Sequence, residues 1–491
     1  MSLKFKNKSE ATIESTLENK LRQKRLINYS SSAVFLVIKN TKKQINTQIS
    51  LINHFLLKRN ISKVVADIYL HNLSGELINK KSINISGPHV YSFRPIDDSE
   101  DNFEGAVYIH FRSDENLFVP FCAVTVSISS QNSICSVHTY GRVLESNELG
   151  GKLDLSETIE SGWTLRDSND ISSFAVFHNG DFEYDVEINI EVLNKSGEIK
   201  SVNWEQFVSK RETIILFPKE KISELVSFLD GSEGHAKVSL VGIKGVFPRM
   251  LCGNARILKT SILDATEIQF THTNFDFSDM SQPPATSKYA YFNQPYLNNA
   301  SAVIYPFSDN LKVNIDGKEV LMPEKLNFLN IQGMSQLPVT SKEKLPSRLI
   351  FSSIGEWGEE FLPSECSSGI YTEDNVKFPL HWHWGMLRSS LNPDADCVIS
   401  IFQNKFTKNL SSTCQLVFRL FDTKGELYNQ NINLSNKVAN LIKINDLAPL
   451  FSRDIVGDVW YVFSGEKLEH LHIFATVSPH DLSSGFVEHA F

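Results

Sequence analysis

The chain has 491 residues, 48 Lys+Arg against 57 Asp+Glu, 41% hydrophobic residues and six cysteines. Its net charge of −9 excludes a general binder of nucleic acid or anionic membrane, which carries a basic excess. The apolar content excludes both a disordered chain and a polytopic membrane protein, and at about 150 residues per domain the length predicts roughly three domains.

The opening MSLKFKNKSEATIESTLENK lacks the apolar run of about 7–15 residues that marks a secretion signal. No stretch holds the roughly 18 consecutive apolar residues of a membrane-spanning helix, so no membrane insertion is expected. The cysteines (Cys122, Cys135, Cys252, Cys366, Cys397, Cys414) show neither CxxC nor zinc spacing and read as reduced core thiols. A cytoplasmic location is the expectation. Residues 9–27 place Ile13, Leu17 and Leu21 on one helical face, so residues 1–33 are expected to be a helical extension through which copies could associate.

From there the chain repeats. Four phrases run alternating apolar residues into a polar group and a glycine: IYLHNLSGELI at Gly75, INIEVLNKSGEIK at Gly197, LKVNIDGKEVL at Gly317 and VFRLFDTKGELY at Gly425. This is the pattern of a β-hairpin, because Gly supplies the positive φ of a tight turn. Three copies carry an upstream Asn (Asn53, Asn179, Asn404), and three a downstream phrase holding Pro and Cys (Pro120 and Cys122, Pro248 and Cys252, Pro363 and Cys366). Each copy then closes on a histidine: His138, His272, His381 and His489, at 63, 75, 64 and 64 residues from its turn glycine.

The fold class expected is therefore all-β, with four tandem β-sandwich-like repeats after the helical extension. The repeats take residues 34–145, 171–275, 298–387 and 388–491, with polar linkers at 146–170 and 276–297. Strands such as VEINIEV alternate apolar and polar positions, as a sheet with one wet face requires.

Chemistry concentrates in the histidines. In HWHWG, His381 and His383 share one strand face, and two imidazoles at i and i+2 can reach one ion. If the copies pack around a common axis, His138, His272, His381 and His489 can converge on zinc or ferrous iron; in a linear string they stay apart. His470, His472 and His480 add imidazoles near the C-terminus. Glu356 and Glu359 are candidate ligands or general bases, and Arg249 a candidate anion clamp. GxGxxG, P-loop, HExxH, GxSxG and EF-hand motifs do not occur. Aromatic residues (Trp163, Trp204, Trp357, Trp382, Trp384, Tyr289, Tyr291, Tyr296) offer stacking platforms for sugars.

The reading that follows is a binding or assembly protein with a glycan or protein partner, set in a glycan or glycoconjugate pathway and without nucleic acid. A metal-dependent enzyme using the closing histidines is the alternative, with zinc or iron as cofactor. A virion or phage structural component is the second.

Overall fold

Strand formation follows the alternation seen in the sequence. In YDVEINIEVL, residues 184–193, the apolar residues fall on the buried face, and Asp185 and Glu187 stay exposed. Three of the predicted turn glycines sit where the hairpins reverse, with φ of +86° at Gly75, +92° at Gly197 and +127° at Gly425. Three residues before each of them an Asn or Asp side chain accepts backbone N–H groups and closes the turn. Asn72 accepts from Glu76, Asn194 from Ser196 and Glu198, and Asp422 from Lys424.

The computed structural model describes residues 31–96, 98, 100–113, 122–138, 157–244, 250–257, 261–271, 285–291, 297–304, 311–315, 318–321, 327–334, 336–341, 348–371, 380–403, 414–435, 439–466, 468, 471–481 and 483–491. The helix expected within 1–33 lies largely outside them, and its last three residues already belong to a strand.

Four eight-strand units follow one another. The first holds β1 (Ser31–Asn40), β2 (Asn46–Ile52), β3 (Val64–Asn72), β4 (Leu77–Ile85), β5 (Val90–Phe93), β6 (Asn102–Ser113), β7 (Thr125–Ser129) and β8 (Ile134–His138). A short helix, α1 (His54–Arg59), follows β2, and the Asn53 side chain caps it by accepting from Leu56 N–H.

The second unit holds β9 (Glu157–Leu165), β10 (Ile171–His178), β11 (Tyr184–Leu193), β12 (Ile199–Val208), β13 (Thr213–Leu216), β14 (Gly234–Ile243), β15 (Leu251–Arg256) and β16 (Glu267–Thr271). The third holds β17 (Ala285–Tyr291), β18 (Leu297–Ile304), β19 (Leu311–Ile315), β20 (Lys318–Leu321), β21 (Asn327–Asn330), β22 (Gln336–Ser341), β23 (Arg348–Gly355) and β24 (Ser364–Tyr371). The fourth holds β25 (Trp382–Arg388), β26 (Ala395–Gln403), β27 (Cys414–Asp422), β28 (Gly425–Leu434), β29 (Ala439–Lys443), β30 (Val459–Gly465), β31 (Leu471–Pro479) and β32 (Phe486–His489).

In the first unit the sheets run β1-β6-β3-β4 and β5-β2-β7-β8. Adding eight to every strand number yields the two sheets of the next unit, and so on through the fourth. The repeat is thus one of hydrogen-bonded topology as well as of sequence phrases. The fold is all-β and built of four repeated sandwiches.

The unit limits differ from the sequence-based ranges. β9 and β17 fall inside the stretches expected as linkers, 146–170 and 276–297, and β25 straddles the expected 387/388 boundary. Each is the first strand of a unit, hydrogen-bonded to the sixth strand of the same unit. The repeat phrases begin later, at the hairpin, so they carry no mark of where a unit starts. The third copy also slips by one strand. Its downstream phrase RLIFSSIG forms the seventh strand, β23, whereas VYIHF, KVSLV and VWYVF form the sixth strand of their units. Its closing strand is β24, SECSSGIY, which has no histidine, and HWHWG opens the fourth unit instead. The 64-residue spacing from Gly317, which lies outside the described residues, therefore ends beside the first strand of the fourth unit and not on the closing strand of the third.

Candidate site at the junction of the closing strands

The four units do not form a linear string. The last strand of each packs against those of two others: β8 against β16 and β32, and β24 against β16 and β32. β16 and β24 pair in parallel at Thr271 and Glu365, and a parallel bridge joins Ser133 to Ser484 beside β8 and β32. Gln269 on β16 crosses the junction, donating to Ser484 Oγ at 2.9 Å and to the Gly485 carbonyl at 3.0 Å. The copies therefore surround a common centre, the arrangement in which closing histidines can meet.

Three closing strands bring a buried glutamate to that centre, and each is held by another unit. Glu267 on β16, with no exposed surface, accepts Leu362 N–H of the third unit at 2.5 Å and Arg256 Nε at 3.2 Å. Burial raises its pKa, and the Leu362 amide and Arg256 charge work the other way. Glu365 on β24 accepts Arg166 at 2.8 Å and Thr271 Oγ1 at 2.6 Å, both from the second unit. Burial works against the Arg166 charge, but Glu365 and Glu233 outweigh it and raise the guanidinium pKa.

The third carboxylate lies among histidines. Glu488 on β32, 2% exposed, accepts from His138 Nδ1 of the first unit at 2.7 Å. The His489 ring stands with Nδ1 at 3.7 Å from the same oxygen, and the two imidazoles meet edge to face with centroids 4.6 Å apart. One ligand atom from each of His138, Glu488 and His489 lies within 4.8 Å of the other two. Cys366 Sγ of the third unit is 4.0 Å from His489 Nδ1.

The other candidates separate from this cluster. His381 is exposed and its Nδ1 faces the Gly465 carbonyl at 3.2 Å. His383 directs Nδ1 at the Phe491 carbonyl (3.2 Å) and Nε2 at the Leu468 carbonyl (3.0 Å). Both nitrogens of the His383 ring thus face carbonyl oxygens, and neither His381 nor His383 joins the cluster of His138, Glu488 and His489. His272, His470 and Arg249 lie outside the described residues. His472 stacks on Phe474, and His480 pairs with Asp394 and Asp396 at the surface, where its hydrogen bonds to those carboxylates raise its pKa.

Glu356 is exposed. Glu359 lines a cleft of about 400 Å³ between the second and third units, with Arg166, Asp167, Glu233 and Arg256 on its walls. Burial pushes the Asp167 carboxyl up to about 6, and its Oδ2 has no hydrogen-bond partner among the described residues. Both cleft arginines are engaged, Arg166 by Glu365 and Glu233, Arg256 by Asp170, Glu267 and the Glu360 carbonyl.

Of the expected sugar platforms, the Tyr289, Tyr291 and Tyr296 side chains lie outside the described residues, and none of the five tryptophans is fully exposed. Trp163, Trp357 and Trp384 are at most 6% exposed, and Trp204 and Trp382 are half-buried. Trp163 fills the core of the second unit and Trp384 that of the fourth. The glutamates of the closing strands escaped sequence reasoning; the only trace is Glu365 beside Cys366 and Glu488 beside His489.

No protein-family model matches the chain, and no curated protein does. Among solved structures, a biofilm-associated protein's BSP domain aligns over 94% of this chain and 96% of its own, at 9% identity and a TM-score of 0.15. A tetra-tandem repeat from the extending region of a large adhesion protein aligns over 93% and 98%, at 10% identity and a TM-score of 0.11. At those scores the fold rests on the strand pairing described above.

Proposed function

We propose that the protein is a docking or assembly scaffold, its four sandwiches held as a ring and its outer strands offered to protein partners. The observation that supports this is how the closing strands are used. Their edges and their buried carboxylates are spent on one another at the centre, while the outer sheets end in strands with exposed apolar residues. β4 ends one sheet and exposes Leu77 and Ile78 at 50% each; β12 ends another and exposes Ile199 at 59% and Phe207 at 55%. A sheet edge with unpaired backbone groups and apolar side chains is the usual substrate for strand addition by a partner.

Leu77 and Phe207 also flank one seam. The Gly75 turn lies against the Lys210–Glu212 backbone so closely that a Cβ there would fall 2.2 Å from the Lys210 carbonyl oxygen. The two apolar edges thus approach the same place on the first and second units.

A photo-crosslinking residue at position 78 or 207 of the full chain, expressed in its native host, tests this. Discrete protein adducts at both positions, and none from position 43 in the β1–β2 turn, are expected. Adducts no more frequent at 78 and 207 than at 43 would end the docking reading.

A further inference from the structure

We propose that His138, Glu488 and His489 form a binding site for one divalent transition metal of the zinc class, which clips the first unit to the fourth. The donors come from opposite ends of the chain, 350 residues apart, and meet because β8 and β32 are neighbours in the ring.

The geometry is near what an ion needs. Metal–nitrogen distances of about 2.0–2.1 Å in a tetrahedral shell place ligand atoms roughly 3.3–3.6 Å apart. His489 Nδ1 and Glu488 Oε1 are 3.7 Å apart, and His138 Nδ1 to the same oxygen is 2.7 Å, a gap that a small ring rotation opens. Two imidazoles and one carboxylate suit zinc or ferrous iron and disfavour calcium or magnesium, which take oxygen donors. The thiol of Cys366, 4.0 Å from His489 Nδ1, adds a soft donor on the side of the third unit.

The donor set differs from those around the other two closing-strand carboxylates: Glu267 and Glu365 face guanidinium groups, whereas Glu488 stands beside two imidazoles, which are ligands for a transition metal. The site is enclosed: His138 is 9% exposed, and the side chains of Glu488 and His489 are 3% and 19% exposed. Aromatic rings wall it, with Phe491 at 4.7 Å from the His138 ring.

The test is equilibrium dialysis of the full, chelator-stripped chain against zinc, read by metal analysis and by thermal melting. One equivalent of zinc, with a melting temperature raised by the metal, is expected. His138→Ala and His489→Ala should each weaken binding more than tenfold, a loss of the size expected for changes within a metal's coordination sphere (about 10–100-fold or more), while His381→Ala and His383→Ala leave stoichiometry unchanged. Glu488→Gln keeps the side-chain shape and removes the charge, so it should fold and bind weakly. Cobalt substituted into the unaltered chain should give the intense visible bands of a four-coordinate site. Substoichiometric zinc in the unaltered chain, or zinc retained at full affinity by folded Glu488→Gln and His138→Ala, would overturn the proposal.

Discussion

The seam between the first and fourth units and the seam between the second and third close the same ring with opposite materials. The first–fourth seam is aromatic and largely neutral. His54 stacks on Trp384 at 5.3 Å, Phe491 lies between Trp384 and Trp460, and Trp460 Nε1 donates to Ser50 Oγ at 2.7 Å. The buried carboxylate of Asp458 at this seam is held by Gln48, Ser92 and the Ser390 amide. The second–third seam is crossed beside an open cleft by the Arg166–Glu365 ion pair and by Glu267, which accepts Leu362 N–H and pairs with Arg256 of its own unit. Apolar area tolerates loss of one contact gradually, whereas a buried ion pair fails when one partner leaves. The two seams should therefore respond differently to the same kind of damage.

The largest expected effect is at the charged seam. Arg166→Ala strands Glu365 in the interior and should cost about 3–5 kcal/mol of unfolding free energy by denaturant titration. Adding Glu365→Leu to Arg166→Met should recover much of that loss. A double variant no more stable than Arg166→Ala would show that the seam is not governed by charge pairing.

Acid should select the second unit. Burial lowers the pKa of both His178 and His235 to about 3, whereas the unfolded imidazole titrates near 6.5. The unfolded chain then takes up protons that the folded unit refuses, so stability is full above pH about 6.5 and falls as pH drops towards 3. By pH 4 the loss is on the order of 3 kcal/mol per histidine. Hydrogen exchange at pH 4.5 should show β10 and β14 opening before β26 and β31, and uniform protection across the units would contradict it.

At the aromatic seam, Ser50→Ala leaves the buried Trp460 N–H without its acceptor and should cost about 1–3 kcal/mol. The smallest effect is a gain. Asp167 is raised to about 6 from an unfolded value of 3.8, so its contribution favours folding below pH 3.8 and is lost as pH rises through 6. Asp167→Asn should raise stability at pH 8 and leave it nearly unchanged at pH 4, as scanning calorimetry would record.

The fold was legible at the hairpins. Gly75, Gly197 and Gly425 mark reversals by a backbone requirement that few other residues meet, and the Asn or Asp three positions earlier is a second local signal, present also as Asn314 in the third copy. Unit starts were not legible, because β9, β17 and β25 are first strands with no turn chemistry of their own. The site was half legible. Repetition picked out His138 and His489, and the structure brings those two together; His381 and His383, which it picked out as well, lie apart with ring nitrogens facing carbonyls. Which strands meet at the centre depends on how whole sandwiches pack, and no local pattern encodes that. The buried glutamates stayed hidden for the same reason: their partners Arg166, Leu362 and His138 are remote in sequence.

The bridge from Ser133 to Ser484 has a consequence for how the chain is made. When the first unit leaves the ribosome, more than 300 residues must still be synthesised before β32 exists to cover the edge of β8. At about 5–20 residues per second that edge stays open for on the order of 15–70 seconds, during which another nascent copy can pair with it. Ring closure is therefore a race between synthesis and misassembly, and crowding of chains on one message would favour swapped rings in which the fourth unit of one copy seals the first of another.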